Sequence, residues 1–252
     1  YSWQRRVLGI IRDESYYFAP QGQTKILNEG WASYWHSRMM TELHPLSDSE
    51  IGDYGDQHSG VVAAAPGQLN PYKLGIELLR HTKRRWDRGQ FGLEYLDCDD
   101  PKKRAAWDTQ AGLGDQKLFE IRRIHNDITF LDAYLDEDFC HEHKLFIYDY
   151  DRRNNRYVIS DREFGKVKAQ LLNQLTNFGQ PIILVKDGNF KNRSELLLEH
   201  QHEGQDLKHE YTVECLRNLY KIWRRPVHID TVIEEGKRRI SFDGSTHSVE
   251  KL

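Results

Sequence analysis

The sequence predicts an α+β protein: a mainly helical part over residues 1–142, then a smaller α+β domain over 143–252 with a mixed or antiparallel sheet. Three observations lead there. Apolar residues recur at helical spacing through the first half and gather into short β-rich runs in the second. The 252 residues are 38% hydrophobic and 30% charged, which suits a packed core and excludes a collagen-like repeat, a disulfide scaffold or a chain too polar to fold. Charge divides at the same place. Residues 1–142 hold 17 Lys+Arg against 23 Asp+Glu, net −6, and residues 143–252 hold 19 against 16, net +3. Their total of −3 excludes a generic polyanion binder.

Trp3, Val7, Ile10 and Ile11 lie at helical spacing, and Pro20-Gln-Gly-Gln23 is expected to break that helix. Thr24 is a plausible N-cap for a second helix reaching about Leu43, closed by His44-Pro45. Residues 46–68 read as loop. Asn70-Pro71 then pairs a capping side chain with proline at the first helical position, and Lys83-Arg-Arg85 complements the dipole at the other end. A further helix is expected from about Asp115 to Leu135. In the second half, Leu145–Tyr150 and Arg156–Ser160 read as a hairpin, followed by a helix that Asp161 could cap. Pro181–Lys186 and Glu195–His202 read as strands, with a turn signal at Asp187-Gly-Asn189. A helix over Tyr211–Trp223 and strands over Val227–Ile233 and Arg238–Phe242 complete a β-β-α-β-β-α-β-β order. No apolar run is long enough to span a bilayer. The three scattered cysteines, Cys98, Cys140 and Cys215, suit a reducing, cytoplasmic setting. The chain opens at Tyr1 without a Met or a signal-peptide pattern, so a piece of a longer protein is expected.

The densest constellation of chemistry-bearing residues is Leu27-Asn-Glu-Gly-Trp-Ala-Ser-Tyr-Trp-His36. On a helix Glu29, Ser33 and His36 form one polar stripe, while Trp31 and Trp35 turn inward. Gly30 costs about 1 kcal/mol in a helix interior relative to Ala, so something should approach the backbone closely there. A carboxylate in such surroundings must be paired with a lysine or arginine, protonated, or bound to a metal.

The Asn-Glu-Gly-Trp-Ala-Ser-Tyr segment resembles the one that supplies the glutamate zinc ligand in gluzincin aminopeptidases. Those enzymes also need His-Glu-x-x-His, and this chain contains none. A longer resemblance is to the stage V sporulation protein R (SpoVR) family. It is carried by Tyr16–His36, His58-Ser-Gly-Val61, Asn70-Pro-Tyr-Lys-Leu-Gly75 and Leu219-Tyr-Lys-Ile-Trp-Arg-Arg-Pro-Val-His228. The resemblance implies a bacterial protein tied to spore cortex formation or cell-envelope physiology, and a longer chain with a His-x-x-x-His pair upstream of Tyr1. Together the two resemblances imply a divalent metal, zinc by its donors, with Glu29 as one ligand and histidine ligands outside this chain. His36 and His58 would be extra ligands or polar partners of the site, with Asn28, Asn70 and Tyr72 nearby. The implied reaction is hydrolysis of a cell-wall or peptide substrate, with this chain alone inactive.

A non-enzymatic alternative is a scaffold in which residues 143–252 engage a protein partner along an exposed sheet edge. Nucleic acid is not the expected partner: the basic runs at Lys83, Lys102, Arg224 and Lys237 read as solvated faces. His141-x-His143 and His200-x-His202 have strand period, and neither has a third ligand fixed by spacing. No phosphate loop and no Gly-x-Ser-x-Gly elbow is present.

Overall fold

A computed structural model describes residues 2–43, 46–65, 68–202, 205–234 and 236–252. It is α+β, as expected, and consists of two compact units, 1–175 and 176–252. The division falls later than residue 142, for a reason visible in the core. Val167 and Leu171 are buried together with Leu27, Leu78 and Phe130, so the first hairpin and the helix after it belong to the helical unit.

The first unit begins with α1 (Ser2–Gly22), which runs through Pro20 and buries none of its residues. Proline removes one hydrogen bond so near the helix end that the helix stops only two residues later. Next comes α2 (Lys25–Arg38), continued by a π-helical turn at Met39–Leu43. The expected stop at His44-Pro45 lies outside the described residues.

The stretch read as loop from 46 to 68 is mostly helix, because α3 occupies Asp48–Val62. Its signal is a capping box: Glu50 accepts hydrogen bonds from the Ser47 backbone N–H at 3.0 Å and from its hydroxyl at 2.7 Å. Gly52, Gly55 and Gly60 dilute the helical pattern enough to hide it. The helix α4 (Pro71–Asp87) starts where predicted, and Asn70 accepts from Tyr72 and Lys73 N–H. Short helices α5 (Leu93–Leu96) and α6 (Pro101–Ala105) follow. The single helix expected over 115–135 is two, α7 (Gly114–Ile124) and α8 (Asp127–Tyr134), because Asn126 and Thr129 form a second capping box. After α9 (Glu137–Glu142), β1 (Ile147–Asp151) and β2 (Arg156–Asp161) pair antiparallel, and α10 (Phe164–Leu175) ends the unit. His141 and His143 thus sit at the end of α9 and not on a strand.

The second unit is a five-stranded mixed sheet in the order β3-β4-β5-β6-β7, formed by Ile182–Phe190, Glu195–Gln201, Val227–Ile233, Gly236–Phe242 and His247–Lys251. Only β4 and β5 are parallel, and α11 (His209–Trp223) makes the crossover between them. Leu216 of α11 packs on Leu196, Leu198, Val227, Ile229 and Ile240. The turn expected at 187–189 is instead a bulged part of β3, and the chain reverses at Lys191, Asn192 and Ser194, all with positive φ.

Candidate functional site

The polar stripe of α2 is held in place by two long-range devices. The first concerns the helix start. Thr24 does not cap α2, since its hydroxyl turns back to the Pro20 carbonyl at 2.9 Å. Asp127 from α8 takes over, accepting from the N–H groups of Ile26 and Leu27, both at 2.9 Å. This carboxylate is 2% exposed. Burial pushes its pKa up, and the hydrogen bonds from the α2 backbone pull it only partly back.

The second device is the crossing of α2 and α4. A methyl group at Gly30 would stand 2.5 Å from the Gly75 carbonyl carbon and 2.9 Å from the Ile76 nitrogen. One at Gly75 would stand 2.6 Å from the Gly30 Cα. The close approach expected at Gly30 is therefore the backbone of α4, and the two glycines let the helices touch.

This crossing brings Glu29 to Tyr72. The Tyr72 hydroxyl faces the Glu29 carboxylate, whose close polar contact and then whose charge raise the tyrosine pKa. Glu29 is half-buried, and it forms no ion pair with a lysine or arginine among the described residues. The simple structural explanation for this carboxylate, a basic partner, is thus missing among them.

His36 and His58 are linked through a third ring. His58 is on α3, not on a loop, and Tyr54 one turn earlier bridges the two rings. The Tyr54 ring lies 5.6 Å from that of His36 and stacks at 5.5 Å on that of His58. Burial lowers the His58 pKa, Arg80 and His36 lower it further, and Glu77 opposes them. Arg80 is in turn bound to Glu77 at 2.9 Å and to the Ser37 hydroxyl at 3.1 Å. The Tyr54 hydroxyl is buried with no hydrogen-bond partner among the described residues.

Glu29 and His36 stand seven residues apart on one helix, about 10.5 Å along its axis. They do not converge on one point, and among the described residues no three His, Cys, Asp or Glu side chains gather as a metal site. Two other residues have full structural roles. Asn28 donates to the Thr24 hydroxyl at 3.0 Å. Asn70 caps α4 and donates to the Val61 and Ala63 carbonyls, both at 2.8 Å, tying the end of α3 to the start of α4.

Comparison with known proteins follows the same residues. The model of the family described as SpoVR like protein matches residues 1–180, and that of the SpoVR-like C-terminal domain matches 181–234. The chain belongs to the SpoVR family. A curated SpoVR relative, an uncharacterized protein of Escherichia coli (strain K12) called YcgB, is 24% identical over 253 residues, covering 93% of this chain and 47% of its own length. This SpoVR chain thus spans about half the length of the curated relative it matches. No solved structure matches it.

One array escaped the sequence reading. In the second SpoVR unit, Glu195, His228 and Ser241 lie side by side on β4, β5 and β6. The His228 Nε2 meets the Glu195 carboxylate at 2.9 Å, and its Nδ1 meets the Ser241 hydroxyl at 2.7 Å. The order resembles a nucleophilic triad, but Ser241 sits inside the sheet, opposite His228 on one side and Ser248 on the other. Its N–H belongs to the ladder and cannot serve a developing oxyanion. The array holds three strands in register. No sequence spacing points to it, since its members come together only through strand pairing.

Proposed function

We propose that this SpoVR protein is a hydrolase-like, metal-dependent protein acting on cell-envelope or peptide bonds, and that Glu29 supplies one ligand of a divalent ion, zinc by donor type. The observation that carries the reading is a half-buried carboxylate with a tyrosine hydroxyl beside it and no cation within ion-pair distance among the described residues. A carboxylate drawn partly out of water gains from a basic side chain or a metal beside it. The described residues supply one fitting ligand and its orienting partner, not a full set. The histidine ligands would come from residues outside this chain, and a relative about twice as long leaves room for them. A bound divalent ion supplies Lewis-acid polarisation of a carbonyl or an activated water.

The chain's own residues would prepare that chemistry. Tyr72 orients Glu29, and the Gly30–Gly75 crossing fixes the distance between them. His58, biased toward its neutral form by burial and by Arg80, is suited to accept a proton. A role in spore cortex formation, or in envelope physiology where no spore is made, is the biological form of this proposal. Elemental analysis of a full-length SpoVR protein, with and without Glu29→Gln, tests it. Stoichiometric metal lost in the variant is expected, and equal metal content in both proteins would count against it.

A second, non-catalytic reading has its own observation. The edge strand β3 exposes Ile183, Leu184 and Val185 at 43%, 47% and 69%, and such an edge can accept a partner strand. If this is the working surface, Val185→Pro should abolish the protein's function in cells while Glu29→Gln leaves it intact.

A further inference from the structure

The first unit holds a pocket of about 280 Å³ that the Glu29 site does not use. It lies among α4, the end of α9, β1 and α10. Leu69, Leu74, Phe139, Phe146, Val167 and Leu171 give it an apolar wall. Its polar groups are unequally committed. Glu77 lines the pocket, but its charge is matched by Arg80 at 2.9 Å. Lys73 and Lys144 also line it, and neither ammonium has an ion-pair partner among the described residues. His143 lines it too, with a buried Nε2 that has no hydrogen-bond partner among the described residues.

Each feature narrows the occupant. Apolar side chains interspersed with polar ones are the usual composition of a small-molecule site. The size is just below the usual range for drug-sized ligands, which favours something smaller. The uncompensated charge is positive, so the ligand's polar end should be anionic. Lysine binds such a group as a point charge, without the paired geometry that arginine imposes.

We propose that this pocket binds a small aliphatic carboxylate, with its chain against Leu74, Phe139 and Leu171 and its carboxylate between Lys73 and Lys144. The inference stands apart from the metal reading, because none of its residues is a proposed ligand and binding needs no metal.

The test is isothermal titration of the chain with octanoate, in metal-free buffer, for the wild type, Lys73→Gln, Lys144→Gln and Gln170→Trp, with circular dichroism confirming that each is folded. Octanol, which keeps the apolar chain and loses the charge, serves as a second probe. Saturable one-to-one binding of octanoate is expected. Each lysine variant should weaken it by about tenfold and leave octanol unchanged, and Gln170→Trp should block both probes by filling the cavity. Lack of saturable octanoate binding to the wild type, octanoate affinity unmoved by both lysine changes, or tighter binding of a tripeptide ending in leucine would overturn the proposal.

Discussion

Alanine at position 30 should destabilise the first unit, against the usual rule for glycine in a helix. Ordinarily Gly→Ala in a helix interior gains up to about 1 kcal/mol. Here the new methyl group would stand 2.5 Å from the Gly75 carbonyl carbon, about 0.9 Å inside the 3.4 Å at which ordinary contact begins. The obstructing atoms are backbone, so no rotamer change relieves the overlap and α2 must move off α4. Overpacking costs about 1–3 kcal/mol, and a backbone clash belongs at the upper end. Setting about 3 kcal/mol against a propensity gain of about 1 leaves a net loss of roughly 2 kcal/mol. In a unit of this size that lowers the melting temperature by about 4–8 °C. Thermal unfolding followed by tryptophan fluorescence reads it, because Trp31 and Trp35 lie on α2. Gly9→Ala is the control: nothing lies within 4 Å of a methyl group there, so the propensity gain should stand alone. The reasoning is refuted if Gly30→Ala is as stable as the wild type, or if both alanines stabilise.

Other consequences are open to direct measurement. Asp127→Ala removes the cap of α2 and leaves two N–H groups in a buried place, so chemical denaturation should show a loss of about 2–3 kcal/mol, and a loss under 0.5 kcal/mol would dismiss the capping role. Burial holds His58, His143 and His228 below the ordinary histidine pKa of 6.5, in His228 against the opposing pull of Glu195. The unfolded chain then binds more protons than the folded one just below pH 6.5, so stability should rise with pH from about 5 to 7, and a melting temperature flat across that range would contradict it. Tyr72→Phe removes the hydroxyl that orients Glu29, and should weaken metal retention by about 10–100-fold while leaving the fold's circular dichroism unchanged.

What the sequence could reveal depended on how local each signal was. The start of α4 was legible because Asn70, Pro71 and Tyr72 are contiguous and carry their own capping chemistry. Strands β3 to β6 were legible for the same reason, each being a short apolar run between turn residues, whereas β7 was not, because His247–Lys251 holds a single apolar residue, Val249. The start of α2 was legible in position but not in its cap, because the capping side chain, Asp127, lies about a hundred residues away. Helix α3 had a local signal in Ser47 and Glu50, but three glycines outweighed it in the pattern. At the candidate site, Gly30 announced a close approach without naming Gly75 as its partner. Glu29 and Tyr72 could be singled out, yet their proximity is a product of the helix crossing. Tyr54 went unnoticed because an isolated tyrosine in a glycine-rich stretch carries no spacing signal, although it brings His36 and His58 together.

The central claim is that Glu29 holds a divalent metal. Its most direct test is native mass spectrometry of a full-length SpoVR protein, purified without chelators, beside its Glu29→Gln and Glu195→Gln variants. The account predicts one metal ion per chain in the wild type and in Glu195→Gln, and none in Glu29→Gln. A wild-type protein without metal, or a Glu29→Gln protein that keeps its ion, would contradict it.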